Sequence, residues 1–254
     1  MPQFVNNQIK ENCMFLDDFA LRCFRDVADQ DYVSARLSHR ACLIPQFLWQ
    51  GQQALEKYIK SILLLNRIPA RNMRHSLRDG LTLLKKLPFR VGLSESSHEL
   101  IDYIDKYGRF RYFDVPWQVR GNELFLLDRA IWELRRYCHS VNSVFLDGDG
   151  KYVHDFEYEL VRIKLSKYHS PNEFSIVGGE LEKILANKMH PARAPLVWKN
   201  FYFSTRAKRK IKASMRMWAA NPPLVFKPEL VSEFGKYVHI PAEVKQVYHD
   251  WPRD

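Results

Sequence analysis

From Cys13 to Leu37 the apolar residues recur every four positions in two neighbouring rows, Phe15, Phe19, Cys23 and Val27 beside Leu16, Ala20, Phe24 and Ala28. That spacing lays a continuous apolar face along one side of an α-helix, and nothing in it alternates as a strand would. A face of this length has to be covered, which selects helices packed on helices. The pattern then repeats. After a loop around Ile44 and Pro45, the set Phe47, Gly51, Ala54, Leu55, Tyr58, Ile59, Ile62 and Leu63 predicts a second helix ending near Ile68 and Pro69. Leu77, Leu81, Leu84 and Leu87, closed by Pro88, predict a third. Leu100, Ile101, Ile104 and Tyr107 predict a fourth, entered at Ser97-His98-Glu99 and capped by Gly108. Beyond a linker from Arg109 to Arg120, Leu124, Leu127, Ile131, Leu134, Cys138 and Val141 predict a fifth. Five helices joined by short loops make an antiparallel bundle, so the fold class is mainly α.

The pattern changes after Val141, which divides the chain into a bundle over 1–142 and an α-rich C-terminal extension over 143–254. Asp147-Gly148-Asp149-Gly150 is a turn signal between Val144-Phe145 and Tyr152-Val153, consistent with a hairpin or a broken helix. Short helices are expected at Glu180 to Ala186, Glu229 to Tyr237 and Ala242 to Trp251. Between the first two of these lie the aromatic segment Trp198, Phe201, Tyr202 and Phe203 and the basic run Arg206 to Lys212. The five helices of the bundle are expected to close their own core and fold without the extension.

A chain of 254 residues with 46% hydrophobic content and 10 glycines can build a packed core, which excludes a disordered or low-complexity protein. No apolar run is long enough to span a bilayer, and the N-terminus lacks the basic and apolar regions of a signal peptide, so a cytoplasmic protein without a membrane partner is expected. Cys13, Cys23, Cys42 and Cys138 stand far apart with no His at zinc-ligand spacing, so neither a metal nor a cofactor is expected and the thiols should be reduced. The net charge of +10 points to polyanions: nucleic acid, a nucleotide or an acidic partner protein.

The Asp147-Gly-Asp149-Gly pair fails as a calcium loop, because Lys151 and Tyr158 stand where ligands would be needed. Arg71-Asn72-Met73-Arg74-His75, at the mouth of the third helix, gathers cationic and polar side chains where an anion is favoured. Were the segment helical, Arg71 and His75 would lie one turn apart, with Arg71 holding a phosphate and His75 serving as general acid or base. A plain capping region is the other reading. Arg109-Phe110-Arg111-Tyr112-Phe113 interleaves arginines and aromatics, and the fifth helix adds Arg129, Arg135, Arg136 and His139. Such mixtures suit phosphates and stacked bases, and equally suit ordinary packing. Lys208, Arg209 and Lys210 head the densest basic run. It reads as an amphipathic surface helix or as a contact for RNA or an acidic protein.

Residues 13–142 resemble the HEPN (higher eukaryotes and prokaryotes nucleotide-binding) superfamily. The resemblance is carried by Asp31 to Arg36 at the end of the first helix, by Gln52-Gln53-Ala54-Leu55-Glu56-Lys57-Tyr58-Ile59-Lys60 in the second, by Arg74-His75-Ser76-Leu77, and by Arg111-Tyr112 after the fourth. It implies a helical bundle that pairs as a homodimer around a cleft for nucleotides or RNA, and Phe47 and Trp49 are the apolar groups expected to feed that interface. Many members are metal-independent ribonucleases with an Arg and a His at a somewhat longer spacing than Arg71 to His75, near a later helix. Arg129 to His139 is too long for that pattern and Arg136 to His139 too short. Three readings follow, in this order: a nucleotide- or RNA-binding protein without catalysis, with Arg71, Asn72, Arg74, Arg111, Tyr112, Lys208, Arg209 and Lys210 as binding residues; a metal-independent endoribonuclease using Arg71 and His75; and a basic adaptor for an acidic partner protein.

Overall fold

The computed structural model describes residues 12, 14–108, 116–139, 144–146, 152–154, 156–166, 177–203 and 217–251. The chain is mainly helical. Residues 14–19 are helical and lead through a π-helical stretch, Ala20–Arg25, into α1, Asp26–Arg40. Helix α2, Ile44–Leu65, starts with Pro45 in its first turn, where a missing amide costs nothing. Arg71–Met73 forms a 3₁₀ turn before α3, Leu77–Leu84, whose first turn is closed by the Ser76 hydroxyl accepting from the Asp79 amide. Helix α4 is Glu95–Tyr107 and α5 is Glu123–Arg135.

The fourth predicted helix ends at its expected Gly108 cap and begins at Glu95, ahead of Ser97, whereas the fifth ends early. The linker before α5 contains a strand, β1 (Trp117–Val119), and α5 stops at Arg135, short of Cys138; Val141 lies outside the described residues. The hairpin alternative holds for the next segment: β2 (Val144–Leu146) and β3 (Tyr152–His154) pair antiparallel with Phe145 opposite Val153, while the turn residues 147–150 lie outside the described set. Helix α6, Phe156–Ser166, follows the hairpin over the mixed stretch of Leu160, Ile163 and Leu165, where a broken helix is the other reading. Helix α7, Glu180–Ala186, matches its prediction, and α8, Arg193–Val197, follows it. Strand β4, Trp218–Ala220, pairs antiparallel with β1, so that Val119 faces Trp218. The chain ends in α9, Val231–Phe234, and α10, Ala242–His249.

Helix α2 is the hub. Phe47, Leu55, Tyr58, Ile59, Ile62 and Leu63 are all buried, because α1, α3, α4 and α5 surround it. At roughly 1.5–3 kcal/mol for each large apolar side chain removed from water, this helix anchors the bundle. Phe47 is fully buried within the chain's own core, so it does not supply an outward apolar face; Trp49 is half-buried.

The extension shares that core. Ile163, Leu181, Ile184, Leu185, Leu196 and Phe203 belong to the same buried cluster as α1 to α5. Phe203 wedges between the Tyr32 and Trp132 rings, with centroids 5.5 and 5.7 Å away, and lies under the Arg135 guanidinium. Residues 177–203 therefore lie against α1 and α5 as part of one interior. A smaller satellite core of Leu224, Val231, Ile240, Val244 and Tyr248 joins the last helices to Tyr107.

Two buried ionic networks fasten this contact. In the first, Asp29 of α1 receives Arg135 on both oxygens, at 2.7 and 2.8 Å, together with the Tyr58 hydroxyl at 2.5 Å and the Leu181 amide at 3.1 Å. Arg135 reaches on to both oxygens of Glu182, at 2.6 Å each. In the second, fully buried Arg36 pairs with Asp128 and donates to the carbonyls of Pro195 and Trp198. Tyr32 donates to Asp128 at 2.6 Å, and Asn200 donates to the Tyr32 hydroxyl at 2.9 Å. Removing one partner of such a buried pair strands a charge, typically at about 3–5 kcal/mol. Burial would raise the Glu182 carboxyl, but Arg135 overrides it and holds the group at about 2. No helix among the described residues is long and apolar enough to cross a membrane.

Candidate functional site

The expected site residues separate into three places. Arg111, Tyr112, Lys208, Arg209 and Lys210 lie outside the described residues. Arg71, Asn72, Arg74 and His75 are exposed, while Met73 between them is a fully buried plug. The segment is not α-helical: Arg74 takes a φ of +48°, which turns the chain before Ser76 caps α3. Arg71 and His75 consequently lie on either side of a reversal and not one turn apart. His75 Nδ1 is 3.2 Å from Glu56, a carboxylate that also receives Lys60 at 2.5 Å and Gln52 at 3.1 Å. Gln52 and Lys60 in turn donate to the carbonyls of His75 and Arg74, stapling the segment onto α2. An anion at His75 would meet that carboxylate as well as the cations.

The arginines of the fifth predicted helix divide differently. Arg135 is consumed by the Asp29 and Glu182 pair, and Arg129 bonds Ser96 and Tyr202. Arg136 donates to the Ile163 carbonyl, and beside it His139 lies 3.8 Å from Glu159 of α6. Burial lowers the His139 pKa, so its ring is neutral at neutral pH. Arg135, Arg136 and His139 hold α6 and α7 in place; Arg129 alone of the four is exposed, and its two partners are neutral hydroxyls.

A cavity that sequence reasoning missed has the better chemistry. The C-terminal end of α1 delivers His39 and Arg40; the residues after α8 deliver Trp198 and Lys199; β4 delivers Trp218, and α5 delivers Phe125. The cavity has a volume of about 290 Å³. Its geometry follows from neighbours already described: Arg36 holds the Trp198 carbonyl, the β1–β4 pair places Trp218, and left-handed backbone at Cys42 and Lys199 turns the chain away on either side. The Arg40 guanidinium and the Lys199 ammonium lie 5.6 and 5.1 Å from the centroid of the Trp198 ring. Each such contact is worth about 0.5–1 kcal/mol at an exposed site, enough to bias both cations toward one place.

No carboxylate among the described residues lines this cavity. The imbalance is felt by His39, whose pKa falls to about 4 through burial and through the charges of Arg36 and Lys199. Its ring is neutral at neutral pH, packs edge-on to Phe47 at 5.0 Å and lies tilted over Trp218 at 6.4 Å, and Nδ1 has no partner. Two cations gathered beside flat aromatic surfaces can hold a phosphate and stack a base. The signal in the sequence was split: Trp198 stood out in the aromatic segment, but nothing local ties it to His39-Arg40 more than 150 positions earlier or to Trp218 of β4.

Among the described residues no group of His, Cys, Asp and Glu is arranged to hold a metal ion. Cys23 and Cys42 are exposed thiols; Cys138 is buried against the Tyr58 carbonyl, and burial pushes its thiol up to about 12. No family model, curated protein or solved structure matches this chain.

Proposed function

We propose that the protein binds nucleotides or single-stranded RNA without cleaving it, on a bundle of HEPN type that pairs as a homodimer. The observation that carries the binding is the carboxylate-free cavity in which Arg40 and Lys199 flank Trp198. The net charge of +10 adds a long-range attraction for the same ligands. The non-catalytic reading is favoured because Arg71 and His75 do not share a helical face. In this reading Arg71, Asn72, Arg74, Arg111 and Tyr112 are further contacts for bound RNA, and Lys208, Arg209 and Lys210 add non-specific affinity for a longer strand. Met14, Phe15 and Phe19, exposed along one side of the first helix, supply apolar surface for the second copy.

Adenosine monophosphate titrated against the protein's tryptophan fluorescence tests the cavity directly. Quenching is expected. Trp198→Phe should reduce the quench, and Arg40→Ala with Lys199→Ala should weaken the affinity by about tenfold or more, the scale of two lost charge-assisted contacts. Quenching of equal affinity in all variants would remove the ligand from this cavity.

A further inference from the structure

A second surface has a different chemistry and does not rest on the nucleotide reading. Between the end of α3 and the segment leading into α4 runs a groove of about 520 Å³. Its floor is mostly aliphatic: Leu84 and Leu87 are buried, Leu81, Val91 and Leu93 half-buried, and the one aromatic, half-buried Phe89, stacks on Tyr137 with centroids 5.8 Å apart. Lys85, Arg90 and His98 line it as exposed side chains, and no carboxylate among the described residues does. Walls that are aliphatic apart from a ring already stacked on Tyr137 offer poor stacking for bases, so a basic rim here calls for an anionic ligand that is itself apolar.

The backbone narrows the choice. Arg90 to Ser94 runs without turn or bend. The Gly92 amide donates to the Tyr137 hydroxyl at 3.0 Å, and the Ser94 amide donates to Glu133 at 2.8 Å. Successive amides of an extended chain point to opposite sides, so those of Val91 and Leu93 face away from α5. Among the described residues neither finds an acceptor. An acyl chain laid over them would leave them unsatisfied, whereas the backbone of an extended peptide can pair with them.

We propose that this groove takes an extended acidic peptide of a partner protein, with the peptide alongside Arg90 to Leu93, its apolar side chains on Leu81, Leu84 and Leu87, and its carboxylates facing Lys85, Arg90 and His98. Like a sheet edge, the stretch leaves its outer amides without a backbone partner among the described residues. Charge complementarity chooses an acidic partner, and the aliphatic floor requires apolar residues to alternate with the acidic ones.

The test uses the full chain and a fluorescein-labelled peptide of alternating leucine and glutamate, followed by fluorescence anisotropy. Binding in the micromolar range that weakens with salt is expected. The double variant Lys85→Glu, Arg90→Glu should weaken it by about tenfold or more, and a peptide with glutamine for glutamate should lose comparably. Both replaced side chains are exposed, and an unchanged circular dichroism spectrum confirms that the variant folds. The variant Arg40→Glu, Lys199→Glu should bind the peptide as the wild type does, whatever becomes of its nucleotide binding. Equal peptide affinity after reversal of Lys85 and Arg90 overturns the proposal. So does displacement of the peptide by single-stranded RNA, which would mark a non-specific basic surface, or by oleate, which would mark a lipid site.

Discussion

Individual side chains decide how the extension meets the bundle, and Gly179 is the tightest of them. A Cβ there would sit 2.7 Å from Arg135 Nη2 and 2.9 Å from Asp29 Oδ2, so the start of α7 can approach the buried ion pair only without a side chain. Gly179→Ala should destabilise the protein by about 1–3 kcal/mol, measured by urea unfolding, because either the pair or α7 must move. A variant as stable as the wild type would show that α7 is not held at this distance. The same cluster sets a pH dependence. Glu182 has a folded pKa of about 2 against an ordinary value of 4.5, a depressed carboxylate, so its contribution is fully present above the unfolded value and is lost as pH falls from about 4.5 to about 2. His39, depressed to about 4 from 6.5, acts in the same direction over the higher window from about 6.5 to 4. Stability should thus fall in two stages on acidification. Glu182→Gln should flatten the lower stage and leave the upper one, and a profile flat from pH 7 to pH 3 would contradict both assignments. None of this was legible in the sequence: Arg135 reads there as a cation on an open helix face, and only the structure shows Asp29 and Glu182 enclosing it from two other elements.

At the level of elements, helical periodicity located the bundle well and its borders less well. The four-residue rows located the helices because α2 to α5 each bury an apolar face, most completely in α2, whereas the row Phe15, Phe19 and Cys23 ahead of α1 is exposed and not covered as the spacing predicts. Strand β1 escaped notice because three residues give too short a pattern, and its partner β4 lies about 100 positions away. The Arg71 to His75 segment failed as a helix for a local reason, the left-handed turn at Arg74, which no periodicity reveals. The expected independence of the bundle now faces a definite cost. Without residues 177–203, Arg36 loses two carbonyl acceptors, Arg135 loses Glu182, and Tyr32 and Trp132 lose the Phe203 ring between them. A fragment ending at residue 142 should unfold at lower urea than the full chain and bind an exposed-surface dye. A fragment matching the full chain in midpoint and cooperativity would show that these contacts decorate a core complete without them.

For the whole molecule, the excess of positive charge and the position of the cavity make one account. In the proposed function, electrostatic attraction would gather a polyanion, and the pair of cations beside Trp198 would give it a place to dock. Global charge could be read from composition, but the cavity could not, since it is assembled from the end of α1, the residues after α8 and strand β4. The most direct measurement is the salt dependence of binding to a single-stranded RNA oligonucleotide, for the wild type and for Arg40→Ala with Lys199→Ala. The wild type should bind at low salt, with log affinity falling linearly in log salt by about 0.7 for each phosphate neutralised; the variant should bind more weakly, with a slope shallower by about 1.4, as two lost phosphate contacts require. Absence of binding by the wild type at low salt, or an identical slope and affinity in the variant, would contradict the account.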